Sequence, residues 1–141
     1  MRTKILVLGL VFLFVSLLLF SLQLDFAKFT PEDSAKYLEK HLKFLGYNFR
    51  VTTELKDGKI NLLFDLKTPV KSDDDMEDFT WEIVTMTGDI TSKTSWRSDK
   101  VIVLFKAKPF FWIYTKDCRK ACKLVYGKME FITAHLHYFK K

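Results

Sequence analysis

Cys118 and Cys122, four residues apart, are the first side chains of this chain with reactive chemistry to offer. On a helix, side chains at i and i+4 share a face, so a thiol pair at this spacing suits a metal ion, a redox partner or a mutual disulfide. Helical Cα atoms at that separation lie about 6 Å apart, inside the range of about 4.4 to 6.8 Å that a disulfide needs, although an intrahelical bridge is strained. The same two residues begin an apolar stripe, Cys118, Cys122, Val125, Met129, Ile132 and Leu136. On that stripe they read first as small buried hydrophobes.

The histidines do not complete a site around them. His135 and His137, two residues apart on a helix, point away from each other. Four to five helical turns, roughly 20 to 25 Å at about 1.5 Å per residue, separate them from the cysteines. The acidic run Asp73, Asp74, Asp75, Glu77 and Asp78 lacks the oxygen spacing and the glycine of a calcium loop. Acids at a helix start are expected from the helix dipole alone. No nucleophile elbow, glycine-rich phosphate loop or paired-carboxylate pattern is present. No metal, cofactor or small-molecule substrate is expected, and enzymatic action has no motif behind it. A metal- or thiol-dependent activity of Cys118 and Cys122 is the alternative reading.

Binding chemistry is more visible. Trp96, Phe110, Phe111, Trp112 and Tyr114 are the candidate partner-binding residues, because Trp and Tyr are favoured at protein interfaces and at membrane surfaces. The segment Phe110–Tyr114 follows Pro109 and reads either as a fifth strand buried on both faces or as an exposed aromatic patch. The chain carries 23 Lys plus Arg against 17 Asp plus Glu, a net +6, and its lysines are spread over nearly every expected element. A nucleic-acid module concentrates basic charge and stacking aromatics in one stripe, so nucleic acid is not an expected partner.

The elements that would position these residues follow from the pattern. Residues 5–22 are uncharged and apolar, preceded by Arg2 and Lys4. As a helix they would be about 27 Å long, close to the ~30 Å hydrocarbon thickness of a bilayer. A secretory signal has an apolar core of roughly 7 to 15 residues and a small-residue cleavage site, and neither fits. Residues 1–24 therefore read as an uncleaved signal-anchor, with secretion after cleavage as the alternative. Arg2 and Lys4 favour a cytoplasmic N-terminus and a domain outside. Asp25–Phe29 is the expected juxtamembrane linker, with a reach of at most about 18 Å, so the domain sits against the lipid surface.

Thr30-Pro31-Glu32-Asp33 is a helix start. Ala35, Leu38, Leu42 and Leu45 form its apolar stripe and Gly46 its stop. Two alternating strands, Tyr47–Leu55 and Ile60–Leu66, join through Lys56-Asp57-Gly58. Ser72 opens a second helix expected to close at Gly88, followed by strands over Ile90–Trp96 and Val101–Phe105. Residues 30–69 and 72–106 thus resemble each other as two αββ units, and a last helix is expected over 117–138, capped by Asp117. The fold class is α+β, in the order α-ββ-α-ββ(β)-α within residues 30–141, with an antiparallel sheet and helices mainly on one face. The functional expectation is a single-pass membrane protein, held in the bilayer through residues 5–22. Its small extracytoplasmic domain contacts a membrane or envelope protein partner without catalysing a reaction.

Overall fold

A hydroxyl and a carboxylate start the first ordered helix. The Thr30 Oγ1 accepts from the Asp33 N–H at 3.1 Å and the Asp33 carboxylate accepts from the Thr30 N–H at 3.1 Å, a reciprocal cap that satisfies two orphan donors. Helix α1 then runs Pro31–Phe44, where its stripe places it, with Ala35, Leu38 and Leu42 buried and Leu45 exposed. These coordinates are a computed structural model that describes Leu10, residues 25–124 and residues 127–139. The expected membrane helix over residues 5–22 lies, Leu10 apart, outside the described residues. Among the described residues, no helix is long and apolar enough to cross a membrane.

Among the described residues the fold is α+β, four α-helices against a five-stranded mixed sheet in the order β1-β2-β3-β4-β5. Strands β1 (Phe49–Lys56) and β2 (Lys59–Leu66) form the expected hairpin. Asp57 and Gly58 both have positive φ in its two-residue turn, the backbone twist that matches paired strands. Strands β2 and β3 (Ser98–Phe105) pair in parallel, so the expectation of an antiparallel sheet is corrected. The cause is the length of helix α2, which runs Asp73–Lys93 without closing at Gly88. Its 21 residues span about 31 Å and carry the chain back to the end of the sheet where β2 began. The strand expected over Ile90–Trp96 is helix through Lys93.

Two features let the helix continue. Three of its hydroxyls bond to carbonyls of the same helix: Thr85 Oγ1 donates to Trp81 O at 2.8 Å, Thr91 Oγ1 to Thr87 O at 2.6 Å and Ser92 Oγ to Asp89 O at 2.6 Å, whereas the buried Thr87 Oγ1 has no partner among the described residues. Gly88 is needed for packing. A Cβ there would lie 2.1 Å from the backbone oxygen of Cys118, because helix α3 (Thr115–Ala121) crosses α2 at this point.

The second hairpin is β3 with β4 (Lys108–Tyr114), antiparallel. Its turn is Lys106-Ala107, at φ +48° and +68°, a conformation costly for L-residues. Asp65 holds it in place, its Oδ1 accepting from the Ala107 N–H at 2.9 Å while its Oδ2 accepts from Lys67 Nζ at 2.7 Å. The expected last helix over 117–138 is two. Helix α4 (Lys128–His135) is separate from α3 and follows Gly127 at φ +85°, so the stripe from Cys118 to Leu136 does not lie on one helix. Asp117 stands inside α3, whose N-cap position is Tyr114, with no side-chain cap. A two-residue strand β5 (His137–Tyr138) then pairs with β4.

Register sorts the sheet into two faces. Val51, Phe64, Val103 and Phe111 stand opposite one another across β1 to β4 and are buried with Leu38, Leu42, Ile83 and Cys118 of the helices in one core. The helices therefore lie on this face. The free edge of β1 is met by α1, where Glu39 Oε1 accepts from the Val51 N–H at 2.9 Å. At the other edge β5 pairs with β4, and the Phe139 N–H reaches Phe110 O at 3.1 Å.

Opposite glycine exchanges test these backbones. Gly88→Ala is expected to lower stability by about 1 to 3 kcal/mol, as overpacked interiors do. Ala107→Gly is expected to raise it by up to about 1 kcal/mol by relieving the positive φ. Thermal unfolding of the purified full chain followed by circular dichroism reads both.

Burial raises the Asp65 carboxyl, but Lys67, the Ala107 N–H and Arg50 more than offset it, so its pKa lies below the ordinary value. A lowered folded value stabilises above the unfolded value of about 3.9, and the gain is lost as pH falls through the folded value. Asp65→Asn is therefore expected to cost less than about 1 kcal/mol at neutral pH, since Lys67 is partly solvated. The difference from wild type should vanish in acid, as read by denaturant titrations across pH.

Candidate functional site

The face of the sheet away from the helices is where exposed chemistry collects. Thr52, Leu63, Ile102, Trp112 and His137 form one cross-strand row on it, since each is the register partner of the next. Lys100 and Tyr114 form a parallel pair one step along, and Asp65 and Leu104 another. Leu63, Ile102, Leu104, Trp112 and Tyr114 are half-buried, shielded only by their neighbours on the sheet. Apolar and aromatic side chains on a solvent-facing sheet are exceptions to the usual inward–outward alternation.

Aromatic geometry organises the centre of this face. The Trp112 ring stacks on His137 with centroids 4.2 Å apart and planes at 18°, and meets Tyr114 edge-on at 4.9 Å. Lys100 Nζ lies 4.5 Å from the Trp112 centroid, and Lys116 Nζ 5.2 Å from that of Tyr114, both within the range of cation–π attraction. A cleft of about 310 Å³ opens beside them, lined in part by Lys56, Lys59, Lys100, Ile102 and Trp112. The arrangement offers flat aromatic area and aliphatic side chains, of the kind enriched at interface cores, among lysines and the carboxylates of Asp57 and Asp99. It holds no nucleophile paired with a base.

The five aromatic residues singled out in the sequence are dispersed. Trp112 and Tyr114 share the open face. Phe111 belongs to the core at 1% exposure. Phe110 points to a second, apolar cleft of about 340 Å³ with Leu66, Val70, Met76 and Phe105. Trp96 is half-buried beside α1, its indole N–H donating to Ser34 Oγ at 2.8 Å. Segment Phe110–Tyr114 is thus a strand with one buried and one open face, neither wholly inside nor wholly outside. Leu63, Ile102 and Leu104 escape a reading by aromatic content. Leu63 gives a signal, an apolar residue at a position where alternation asks for a polar one.

Cys118 and Cys122 are free thiols in unlike surroundings, the first buried and the second exposed. Burial, aided by neighbouring Asp117, pushes the Cys118 thiol far above its ordinary pKa, so it is held as an unreactive thiol. Cys122 Sγ lies 3.0 Å from Arg119 O. Among the described residues, no three His, Cys, Asp or Glu side chains converge as a metal site would require. His135 lies 3.7 Å from the Asp117 carboxylate and against Phe131, while His137 belongs to the open face.

No family model matches the chain, and neither a curated protein nor a solved structure matches it.

The unequal thiols are directly testable. Iodoacetamide applied to the folded protein is expected to add one label, on Cys122, with a second on Cys118 only after unfolding. Intact-mass measurement followed by peptide mapping counts and places them.

Proposed function

We propose that this chain is a membrane-tethered contact module, held by residues 5–22 and binding a membrane or envelope protein through the open face of its sheet. The observation that carries this reading is the row Leu63, Ile102 and Trp112, joined across three strands and half-buried on a face without helices. Apolar area left on a solvent-facing sheet marks a place where a further surface is received. Trp112 is its natural anchor. The ring is large, and its stacking on His137 and its contact with Lys100 restrain it before binding, so little side-chain freedom is lost on association. The tether rests on the length and composition of the run, long enough to span and uncharged throughout. Arg2 and Lys4 set the expected orientation, with the domain outside.

The reading is tested in membranes. A photo-crosslinking residue placed at Ile102 of the full chain is expected to give one discrete adduct, reduced several-fold by Trp112→Ala. The same residue at Thr133, exposed on α4, should give none. The chain should also stay with the membrane through alkaline carbonate extraction. Identical adducts from both positions, or release of the chain by carbonate, would overturn it.

A further inference from the structure

We infer that the end of the domain nearest the tether is a docking surface for lipid headgroups, adjoining the open face that receives a protein partner. This rests on residues 5–22 spanning a bilayer. Its starting point is how little free chain separates that run from folded structure. Asp25–Phe29, expected as a linker, is folded onto the domain. Phe26 and Phe29 pack on each other at 5.1 Å and on Tyr37 of α1 at 5.4 and 6.0 Å, and Lys93 Nζ sits 5.3 Å from the Phe26 centroid. Only Gln23 and Leu24 remain between the run and Asp25. Three residue steps reach about 10 Å at most, whereas the headgroup region of one leaflet is roughly 5 to 8 Å deep. The tether end of the domain is therefore held within a few Å of the headgroup layer.

What this end carries can be followed bond by bond. Ser95 Oγ donates to Ala27 O at 2.9 Å, joining the incoming chain to the loop after α2. Ser98, at the end of that loop, is the register partner of Ile60, which brings the Lys56–Lys59 turn alongside. Five cations gather on the sheet side of this end, Lys56, Lys59, Arg97, Lys100 and Lys116, and none has a salt bridge among the described residues. Arg97 Nη1 donates to Thr94 O at 2.9 Å. The neighbouring acids, Glu54, Asp57 and Asp99, are fewer. On the helical side Glu32 and Asp33 begin α1, with Asp33 engaged in the cap, and the acids Asp25 and Asp89 are matched by Lys28 and Lys93. Tyr114 adds an amphipathic ring between Lys100 and Lys116. Lysines with long aliphatic stems beside a tyrosine form the side-chain set that settles at a membrane–water interface. The ligand chemistry is a phosphate-bearing headgroup layer, and the short tether assigns it to the membrane's own lipids.

The test uses the full chain in nanodiscs of mixed phosphatidylcholine and phosphatidylglycerol, compared with the same chain in neutral detergent micelles. Amide hydrogen exchange at residues 55–60 and 95–100 is expected to be several-fold slower in the discs. The double variant Lys56→Glu, Lys59→Glu should abolish the slowing at 55–60 while remaining embedded, with exchange in β3 unchanged as the sign of an intact fold. Equal exchange in discs and micelles, for a chain that is embedded, overturns the docking surface and leaves the anchor standing. A chain that does not enter the discs overturns both. Slowing reproduced by inorganic phosphate added to the micelles would make the site one for free anions, and the lipid assignment would fall.

Discussion

Everything in this fold turns on the unbroken backbone hydrogen bonding of α2. Had the helix closed at Gly88, the chain would have had room for a return strand and a sheet made only of hairpins. Continuing to Lys93, it delivers the chain to the far end of the sheet and forces β3 to run alongside β2. The same length carries Gly88 under α3 at backbone contact, which buries Cys118 and fixes where the second hairpin must pack.

From that topology follows the division of labour between faces. With both αβ connections laid on one side, the core takes Val51, Phe64, Val103 and Phe111, and the opposite side is left to neighbouring side chains alone. Hydrophobic residues on that side are shielded by stacking and by ammonium groups instead of by a second layer. That arrangement is adequate for a folded surface.

The legible part of the sequence was wherever a local rule is strong. The Thr30 to Asp33 start, the Leu38 and Leu42 stripe and the Asp57-Gly58 turn each state a backbone conformation in a few residues, and each is found. The second half reads poorly for identifiable reasons. Gly88 looks like a stop but is a contact, a difference set by α3, which follows it in sequence. Lys106-Ala107 turns the chain with no glycine or asparagine to announce it, because Asp65, 42 residues earlier, supplies the hydrogen bond. The stripe from Cys118 to Leu136 is regular, yet Gly127 at positive φ and the separate start of α4 interrupt it. Of the candidate surface, Trp112 and Tyr114 were visible by type, while Leu63, Ile102 and Leu104 acquire meaning only through register.

The Glu39 carboxylate on the Val51 N–H has a wider consequence. A β-sheet with bare rims templates its own polymerisation. Here one rim is blunted by a negative charge from a helix and the other by a two-residue strand too short to propagate pairing. The molecule can thus leave apolar side chains uncovered on one sheet face while denying its neighbours the backbone ladder on which fibrils grow.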